Sequence, residues 1–274
     1  MIIDSHQHFW KYNPLKDAWI TDDMNRIQRG FLPEDLAPIF NKLNITGCVS
    51  IQADQSDKET EFLLSLAESN DFIKGVVGWV DLLQPNVTSR LEHYVKNPLF
   101  KGVRHILQAE KNEFVLDPQF QYGISQLRTW DLTYDILIHP QQLENTAKMV
   151  AKFPDNKFVI DHLAKPYIKA GEIDQWMKDM KHIAKYPNVN CKLSGFVTEA
   201  DWQNWQYEDL VPYFDAVFDA FGPNRILFGS DWPVCLLAAQ YDEVIQTVKR
   251  YISTLSSYEI EAVLGENATV FYKL

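Results

Sequence analysis

Cysteine is scarce in this sequence, and its scarcity limits the kinds of protein the chain can form. The 274 residues include three cysteines, Cys48, Cys191 and Cys235, which lie far apart. Cys48 and Cys191 are inside apolar runs, where a cysteine usually behaves as a small buried hydrophobic residue. The spacing gives no sign of a disulfide framework and fits a reducing compartment, so we expect a cytoplasmic protein.

Long apolar runs and an excess of positive charge are also missing. The N-terminus has no basic region followed by an apolar one, and no apolar run approaches the length that spans a membrane. The formal net charge is −11, from 37 acidic and 26 basic residues, which argues against nucleic acid or an anionic membrane as a partner. A small-molecule ligand is compatible with this charge, because a binding site can be locally cationic. The oligomeric state stays open, a homo-oligomer included.

Short apolar runs, each followed by a turn and a helical pattern, recur along the chain. They are nearly continuous in apolar residues rather than alternating, as expected of parallel strands covered on both faces. Eight such runs are present: Ile2–Ser5, Gly47–Ile51, Gly75–Val80, Gly102–Ile106, Tyr134–Ile138, Lys157–Ile160, Val189–Leu193 and Arg225–Phe228. A helix opens at Pro33, and further helical spacing covers Lys58–Ser69, Ser89–Lys96, Pro118–Thr129, Gln141–Lys152, Ile173–Tyr186, Leu210–Phe221 and Tyr241–Ser253.

Strands that alternate with helices predict right-handed βαβ units in a parallel sheet. Eight units in a chain of 274 residues predict an α/β fold, a single-domain (β/α)8 barrel over residues 1–274. A doubly wound open sheet is the alternative, but it more often has a glycine-rich loop after its first strand, and Ser5–Trp10 contains no glycine. We see no linker, repeat or low-complexity tract, and the tail Tyr258–Leu274 is expected to form final helical turns packed over the barrel.

Histidines concentrate at the predicted strand ends, where the active site of such a barrel forms. His6 and His8 end the first strand, and positions i and i+2 of a strand point to the same face. Two imidazoles on one face are a ready ligand pair for zinc or a similar divalent ion, although a chance pair of surface histidines has the same pattern. Five of the seven histidines lie at strand ends, namely His6, His8, His105, His139 and His162. This clustering favours a functional site over core packing.

Charged residues join the histidines at the same strand ends. Arg104 ends strand four and suits a carboxylate or a polarised oxygen, and Asp231 ends strand eight. Asp161 precedes His162, and we interpret it as a structural hydrogen-bonding partner because adjacent strand residues face opposite ways. Asp4 either orients a ligand or caps a turn.

The loops contribute residues with two readings each. Lys165 follows His162 in a loop before a proline and is either structural or catalytic; we favour the structural interpretation. Trp202 and Trp205 lie in a polar loop after strand seven, where they either pack as a lid or stack on a sugar ring at the barrel mouth. We favour stacking.

The combination of His6-x-His8, single histidines ending strands five and six, and an aspartate ending strand eight resembles the amidohydrolase superfamily. Longer runs look like the branch (amidohydrolase-2 type) that holds sugar lactonases and 2-pyrone-4,6-dicarboxylate lactonase: Phe31–Leu36, Ile160–Pro166, Lys192–Gly195 and Phe228–Pro233. The run Phe196–Trp202 is most similar to the L-fuconolactonase and L-rhamnonolactonase type. The resemblance spans nearly the whole chain.

One departure from the superfamily concerns the metal. Its common two-metal members use a carboxylated lysine that ends strand four, whereas here Lys101 begins that strand and Arg104 is near its end. A guanidinium cannot form that bridging ligand, so the resemblance implies one divalent ion, zinc or manganese, or none. The implied ligands are His6, His8, His162 and Asp231, with His139 as a further candidate.

The activity implied by the resemblance is hydrolysis of a sugar-acid lactone, such as L-fucono- or L-rhamnonolactone, in carbohydrate metabolism. Asp231 would take a proton from water and return it to the ring oxygen, and Arg104 would stabilise the oxyanion. His139 and His162 would polarise the carbonyl or hold the ion. The expected substrate contacts are Arg104, His105, Trp202 and Arg29, and the loops that choose the sugar include Arg29, Gln52 and Glu199.

Two other functions stay open at this stage. A metal-dependent non-oxidative decarboxylase of the same superfamily would share the fold and the His6–His8 pair. A non-catalytic barrel that binds sugar acids would need no acid–base carboxylate opposite a histidine cluster, and Asp231 argues against it.

Overall fold

The computed structural model describes residues 1–274, which form a barrel of eight parallel strands hydrogen-bonded in sequence order. The strands are β1 (Ile3–Gln7), β2 (Gly47–Ile51), β3 (Ile73–Gly78), β4 (Phe100–His105), β5 (Thr133–Ile136), β6 (Lys157–Ile160), β7 (Val189–Leu193) and β8 (Ile226–Phe228). The first strand meets the segment after the last one: the His8 amide donates to the Trp232 carbonyl at 2.7 Å, and the Asp231 amide donates to the His6 carbonyl at 2.8 Å. The predicted (β/α)8 barrel is confirmed.

Helices follow the strands and cover the outside of the barrel. They are α1 (Pro33–Leu43), α2 (Asp57–Ser69), α3 (Val87–Tyr94), α4 (Pro118–Leu127), α5 (Leu143–Val150), α6 (Asp174–Ile183), α7 (Phe196–Glu199), α8 (Tyr207–Phe221), α9 (Tyr241–Ile252), α10 (Ser257–Glu261) and α11 (Asn267–Tyr272). Local chemistry sets several starts: the Asp117 carboxylate accepts from the amides of Gln119 and Phe120, and Pro118 takes the first helical position of α4. No helix combines the length and apolar character needed to cross a membrane.

The C-terminal helices close the end of the barrel at which the strands begin. Ala268, Phe271 and Tyr272 pack against the lower interior layer, which includes Ile3 and Val49. A π-helical turn, Ala262–Glu266, joins α10 to α11 and brings Gly265 against the first residues of the chain. A Cβ atom on Gly265 would lie 2.8 Å from the Met1 carbonyl oxygen, so only glycine allows this approach. The opposite end, where the strands finish, is left for the site.

Candidate active site

Three imidazoles and one carboxylate converge where the strands end. The Nε2 atoms of His6 and His8, at the end of β1, are 3.1 Å apart. One carboxylate oxygen of Asp231 lies 3.5 Å from His8 Nε2 and 3.9 Å from His6 Nε2. The same oxygen lies 3.8 Å from Nε2 of His162. All four side chains are buried, so the structure brings together the four residues predicted as metal ligands.

The far nitrogen of each imidazole is fixed by a neighbour. His8 Nδ1 donates to the Ile51 carbonyl oxygen at 2.8 Å, and His6 Nδ1 is 3.2 Å from a carboxylate oxygen of Asp161. A carbonyl only accepts, so in His8 the hydrogen is on Nδ1 and the Nε2 lone pair faces His6. The Nδ1 atom of His6 also lies 3.2 Å from the Lys192 ammonium, which only donates, so His6 has both an acceptor and a donor at that nitrogen. His162 Nδ1 lies 2.9 Å from the Ser194 hydroxyl, which can accept in the same way.

Burial keeps His6 and His162 neutral, and neighbouring groups keep the Asp231 carboxylate charged. It lowers the pKa of His6 well below its ordinary value and that of His162 to about 4. Burial alone would raise the pKa of Asp231, but His162 and His8 outweigh it and hold that pKa below its usual range. At neutral pH His6 and His162 are therefore neutral, and Asp231 carries a negative charge.

This donor set fits a divalent ion. Zinc with bonds of about 2.0–2.1 Å to a tetrahedral ligand set places the ligand atoms about 3.3 Å apart, close to the 3.1 Å between His6 and His8. Two imidazole nitrogens stay this close only with a proton or a cation between them. Each ring also has the fixed second partner that is typical of metal-bound histidine. His6, His8 and Asp231 supply ligand atoms that are all mutually within 4.8 Å.

Arg104 stands where a bridging lysine would end β4. Its Nη1 lies 3.1 Å from Asp161 and 3.4 Å from His6 Nε2, and its Nη2 donates to the Gln52 carbonyl. The Lys101 ammonium instead donates to the Lys273 carbonyl at 2.7 Å, near the other end of the barrel. The site thus has a buried guanidinium beside one set of side chains that could hold a metal ion, and the bridging position of a two-metal centre has no lysine.

A buried charge network beneath the centre is absent from the sequence-based predictions. The Lys192 ammonium, fully buried inside the barrel, lies 2.5 Å from Asp135 and 3.0 Å from Asp161. The Tyr272 hydroxyl donates to the same Asp135 carboxylate at 2.7 Å. Burial raises the pKa of Asp161, but Lys192, His6 and Arg104 outweigh it, so Asp161 is ionised with a pKa well below its usual range. The one sign of this network in the sequence is Lys192, a lysine within the apolar run of β7.

A left-handed turn after β6 explains why two adjacent residues both face the interior. His162, Leu163, Ala164 and Lys165 have φ values of +53°, +55°, +57° and +52°. Each costs about 1–2 kcal/mol in this conformation relative to the right-handed region. The turn ends the alternation of β6 at His162, so that Asp161 and His162 both reach the centre. The prediction that Asp161 is a structural hydrogen-bonding partner understates its place, since it contacts His6, Arg104 and Lys192.

A cavity of about 340 Å³ opens above the centre. His8, Arg104, His162 and Asp231 form its polar floor. The walls combine apolar and polar side chains, including Trp10, Trp19, Leu137, Val234, Gln55, Gln108 and Lys165. Trp19 is 43% exposed and stands at the mouth, with its ring 6.0 Å from that of Trp10. The cavity is therefore deep, polar below and partly aromatic above.

Four of the residues predicted as catalytic or substrate-contacting do not line this cavity. His105 follows Arg104 on β4 and faces the other side of the strand, where it lies 3.1 Å from Glu110 and stacks on Phe114. The Trp202 indole donates to the Thr198 carbonyl at 2.8 Å and packs on the core. The other two are Arg29, whose guanidinium is paired with Asp35 and lies over Phe31, and the half-buried His139.

Asp4 ties the first strand to the loop after the last one. Its carboxylate accepts from the Ser230 amide at 2.9 Å, from the Ser230 hydroxyl at 2.6 Å and from the Tyr241 hydroxyl at 2.8 Å. Asp4 was expected either to orient a ligand or to cap a turn. The contacts with Ser230 support orientation of the site, because Asp231 follows Ser230 in the chain.

Zinc is expected to stabilise this protein by binding to the cluster of His6, His8, His162 and Asp231. Added to metal-free protein at 100 times its dissociation constant, it should raise the free energy of unfolding by about 2.7 kcal/mol. His8→Asn removes one ligand and should abolish most of that shift, whereas His105→Asn, a buried histidine outside the cavity, should leave it unchanged. Denaturant unfolding with and without zinc measures it. An equal shift in both variants would contradict the assignment.

Comparison with known proteins gives full-length matches. A family model described as Amidohydrolase matches residues 3–274. An L-fucono-1,5-lactonase of Burkholderia multivorans is 39% identical over 284 residues, covering 99% of this chain and 96% of that protein. An L-fucono-1,5-lactonase of Burkholderia ambifaria is 35% identical over 283 residues, covering 99% and 95%. The crystal structure of a Burkholderia multivorans amidohydrolase with bound zinc has a TM-score of 0.96 and 39% identity, covering 100% of this chain and 99% of that one.

Proposed function

The chain belongs to the amidohydrolase family, and we propose that it opens a sugar-acid lactone to its acid by attack of water on the lactone carbonyl. The observation that carries the proposal is the ionised Asp231 carboxylate, facing three imidazole nitrogens on the floor of the cavity. Full-length similarity to two proteins named L-fucono-1,5-lactonase supports an aldonolactone of that kind as the substrate. The resemblance to the amidohydrolase superfamily inferred from the motifs is confirmed.

Asp231 is the base in this scheme. As a carboxylate it removes a proton from the attacking water while the water oxygen bonds to the carbonyl carbon. When the ring carbon–oxygen bond breaks, the same proton passes from Asp231 to the departing ring oxygen, so one residue serves both steps. A carboxylic acid group suffices to assist departure of the ring oxygen, because an ester-type alkoxide leaves more readily than an amine.

Arg104 supplies positive charge where the carbonyl oxygen becomes negative. Its guanidinium is buried in the cavity floor and held by Asp161 and by Gln52, so it needs no reorganisation during the reaction. When bound, a divalent ion held by His6, His8, His162 and Asp231 would polarise the carbonyl and lower the pKa of its water towards about 7.

The test is turnover of a panel of aldonolactones followed by a pH indicator, with and without prior chelation. We expect proton release with at least one lactone, because opening the ring yields a carboxylic acid that ionises at neutral pH. Activity that survives chelation would assign the polarisation to Arg104 and the imidazoles, and activity restored by zinc would assign it to the ion. Release of CO₂ from an aromatic acid, without lactone turnover, would support the decarboxylase, and tight binding without turnover would support a binding barrel.

A further inference from the structure

Lys165 reaches the cavity wall only because of the left-handed turn. In a left-handed helical turn residues three apart share a face, so Lys165 faces the same cavity as His162. Four strained residues in succession persist only where surrounding contacts hold them, and such strain is concentrated at functional sites. The turn that places a central histidine therefore also places an ammonium group.

Glu199 pairs with this ammonium from the neighbouring loop. Lys165 Nζ donates to a carboxylate oxygen of Glu199 at 2.8 Å, and both side chains are 19% exposed. The loop is built against the centre: the Ser194 hydroxyl contacts His162 Nδ1, and a Cβ on Gly195 would lie 2.5 Å from that same nitrogen. Gly195, at φ +64°, starts the short helix that ends in Glu199. Both members of the pair are thus fixed by the His162 environment.

The pair keeps unused hydrogen-bonding capacity. Arg104, the other cation of the cavity, already donates from both terminal nitrogens, to Asp161 and Gln52, and its buried Nε has no partner. An ammonium has three donors, and Glu199 is the one partner that Lys165 has in the structure. The carboxylate likewise keeps free acceptor sites. Since a sugar hydroxyl both donates and accepts, adjacent hydroxyls can bridge an ammonium and a carboxylate.

A second ion pair, Lys169–Asp201, joins the same two loops at the surface and serves as a comparison. Lys169 lies 3.2 Å from Asp201, with exposures of 68% and 37%, and neither residue lines the cavity, whereas Lys165 of the first pair lines it and Glu199 is bound to Lys165. The loops after β6 and β7 are therefore joined at the surface as well as at the cavity.

We propose that Lys165 and Glu199 recognise ring hydroxyls of the substrate, so that the pair selects polyhydroxylated lactones over unsubstituted ones. The inference rests on the proposed lactone hydrolysis and adds a specificity-determining pair to it. The interpretation of Lys165 as structural is replaced by one in which it contacts the substrate.

Two lactones test the pair: L-fucono-1,5-lactone, which has ring hydroxyls, and δ-valerolactone, which has none. Lys165→Met should raise KM for the hydroxylated lactone about 10- to 100-fold, the effect of losing a hydrogen bond from a charged group. The constants for δ-valerolactone should stay within about twofold, because that ring offers nothing for an ammonium to bind. Glu199→Gln should raise KM for the hydroxylated lactone less than Lys165→Met does. Lys169→Met should leave KM unchanged for both lactones.

The outcomes separate this inference from the proposed function. Equal losses on both lactones in Lys165→Met, or no loss on the hydroxylated one, would overturn the inference alone. If Lys165→Met does not fold, the same comparison with Glu199→Gln decides. A wild-type protein that hydrolyses neither lactone would overturn the proposed function and this inference with it.

Discussion

Asp231→Asn is expected to lower kcat about 10²- to 10⁴-fold, the usual contribution of a positioned acid or base. Asparagine keeps the size of the side chain but cannot take a proton from water. It also tolerates the left-handed backbone at this position, where φ is +57°. The loss should therefore come from chemistry rather than from misfolding, and initial rates in the pH-indicator assay measure it directly.

Asp131→Asn is the matched control. Asp131 also has a left-handed backbone, with φ +56°, but it precedes β5 at the far end of the barrel and pairs with Lys157 on the surface. Turnover should be unchanged in this variant, and circular dichroism should show folded protein in both. Wild-type activity in Asp231→Asn would refute the role of Asp231 as the base.

The largest effect on stability is expected for Lys192→Met, which should cost about 3–5 kcal/mol of the free energy of unfolding. Lys192 is fully buried and pairs with both Asp135 and Asp161. Methionine fills a similar volume but leaves two carboxylates near each other without their shared cation. Urea unfolding gives the loss, and a lowered midpoint with an unchanged slope would show that the native state alone is affected.

Two further variants test whether the loss comes from unpaired charge. Lys148→Met breaks an exposed pair with Glu144 and should cost no more than about 0.5 kcal/mol. The double variant Lys192→Met with Asp135→Asn removes one of the stranded carboxylates, so part of the loss should return. If Lys192→Met lowers the free energy of unfolding as little as Lys148→Met does, the buried charge network does not stabilise the barrel interior.

The strands were predictable because burial on both faces demands continuous apolar runs. Predicted and observed strand ends differ by at most two residues, and β2, β6 and β7 agree at both ends. Parallel strands of a barrel finish at one edge, so residues at strand ends, such as His6 and Asp231, were bound to meet. The cluster of histidines and Asp231 follows from that topology.

The direction of single side chains could not be predicted in the same way. His105 lies next to Arg104, and strand alternation turns it outward to Glu110, a partner that the sequence does not reveal. Val159 faces the barrel interior, so strand alternation turns Asp161 inward as well, and it is His162 that needs the left-handed turn to reach the same site. Nothing in the local residues announces four successive positive φ values. Backbone conformation of this kind depends on contacts from the neighbouring strand.

The direction of the tryptophan side chains at the cavity mouth could not be predicted from the sequence either. Trp202 was expected to stack on a sugar, but its indole hydrogen finds the Thr198 carbonyl within its own loop. Trp10 and Trp19 line the cavity instead, from the segment after β1. Which tryptophan faces a ligand depends on where each indole finds its acceptor, and this is decided by loop geometry.

The closure of β1 against the segment after β8 also governs when the site comes into being. A ribosome makes His6 and His8 before the other seven strands and Asp231 only after the eighth strand. Until then the nascent barrel has an open edge at β1, with unpaired backbone groups that can join other strands. The His8 and Asp231 amides seal that edge in the same step that completes the cluster. Hydrolytic competence and protection from aggregation are therefore acquired together.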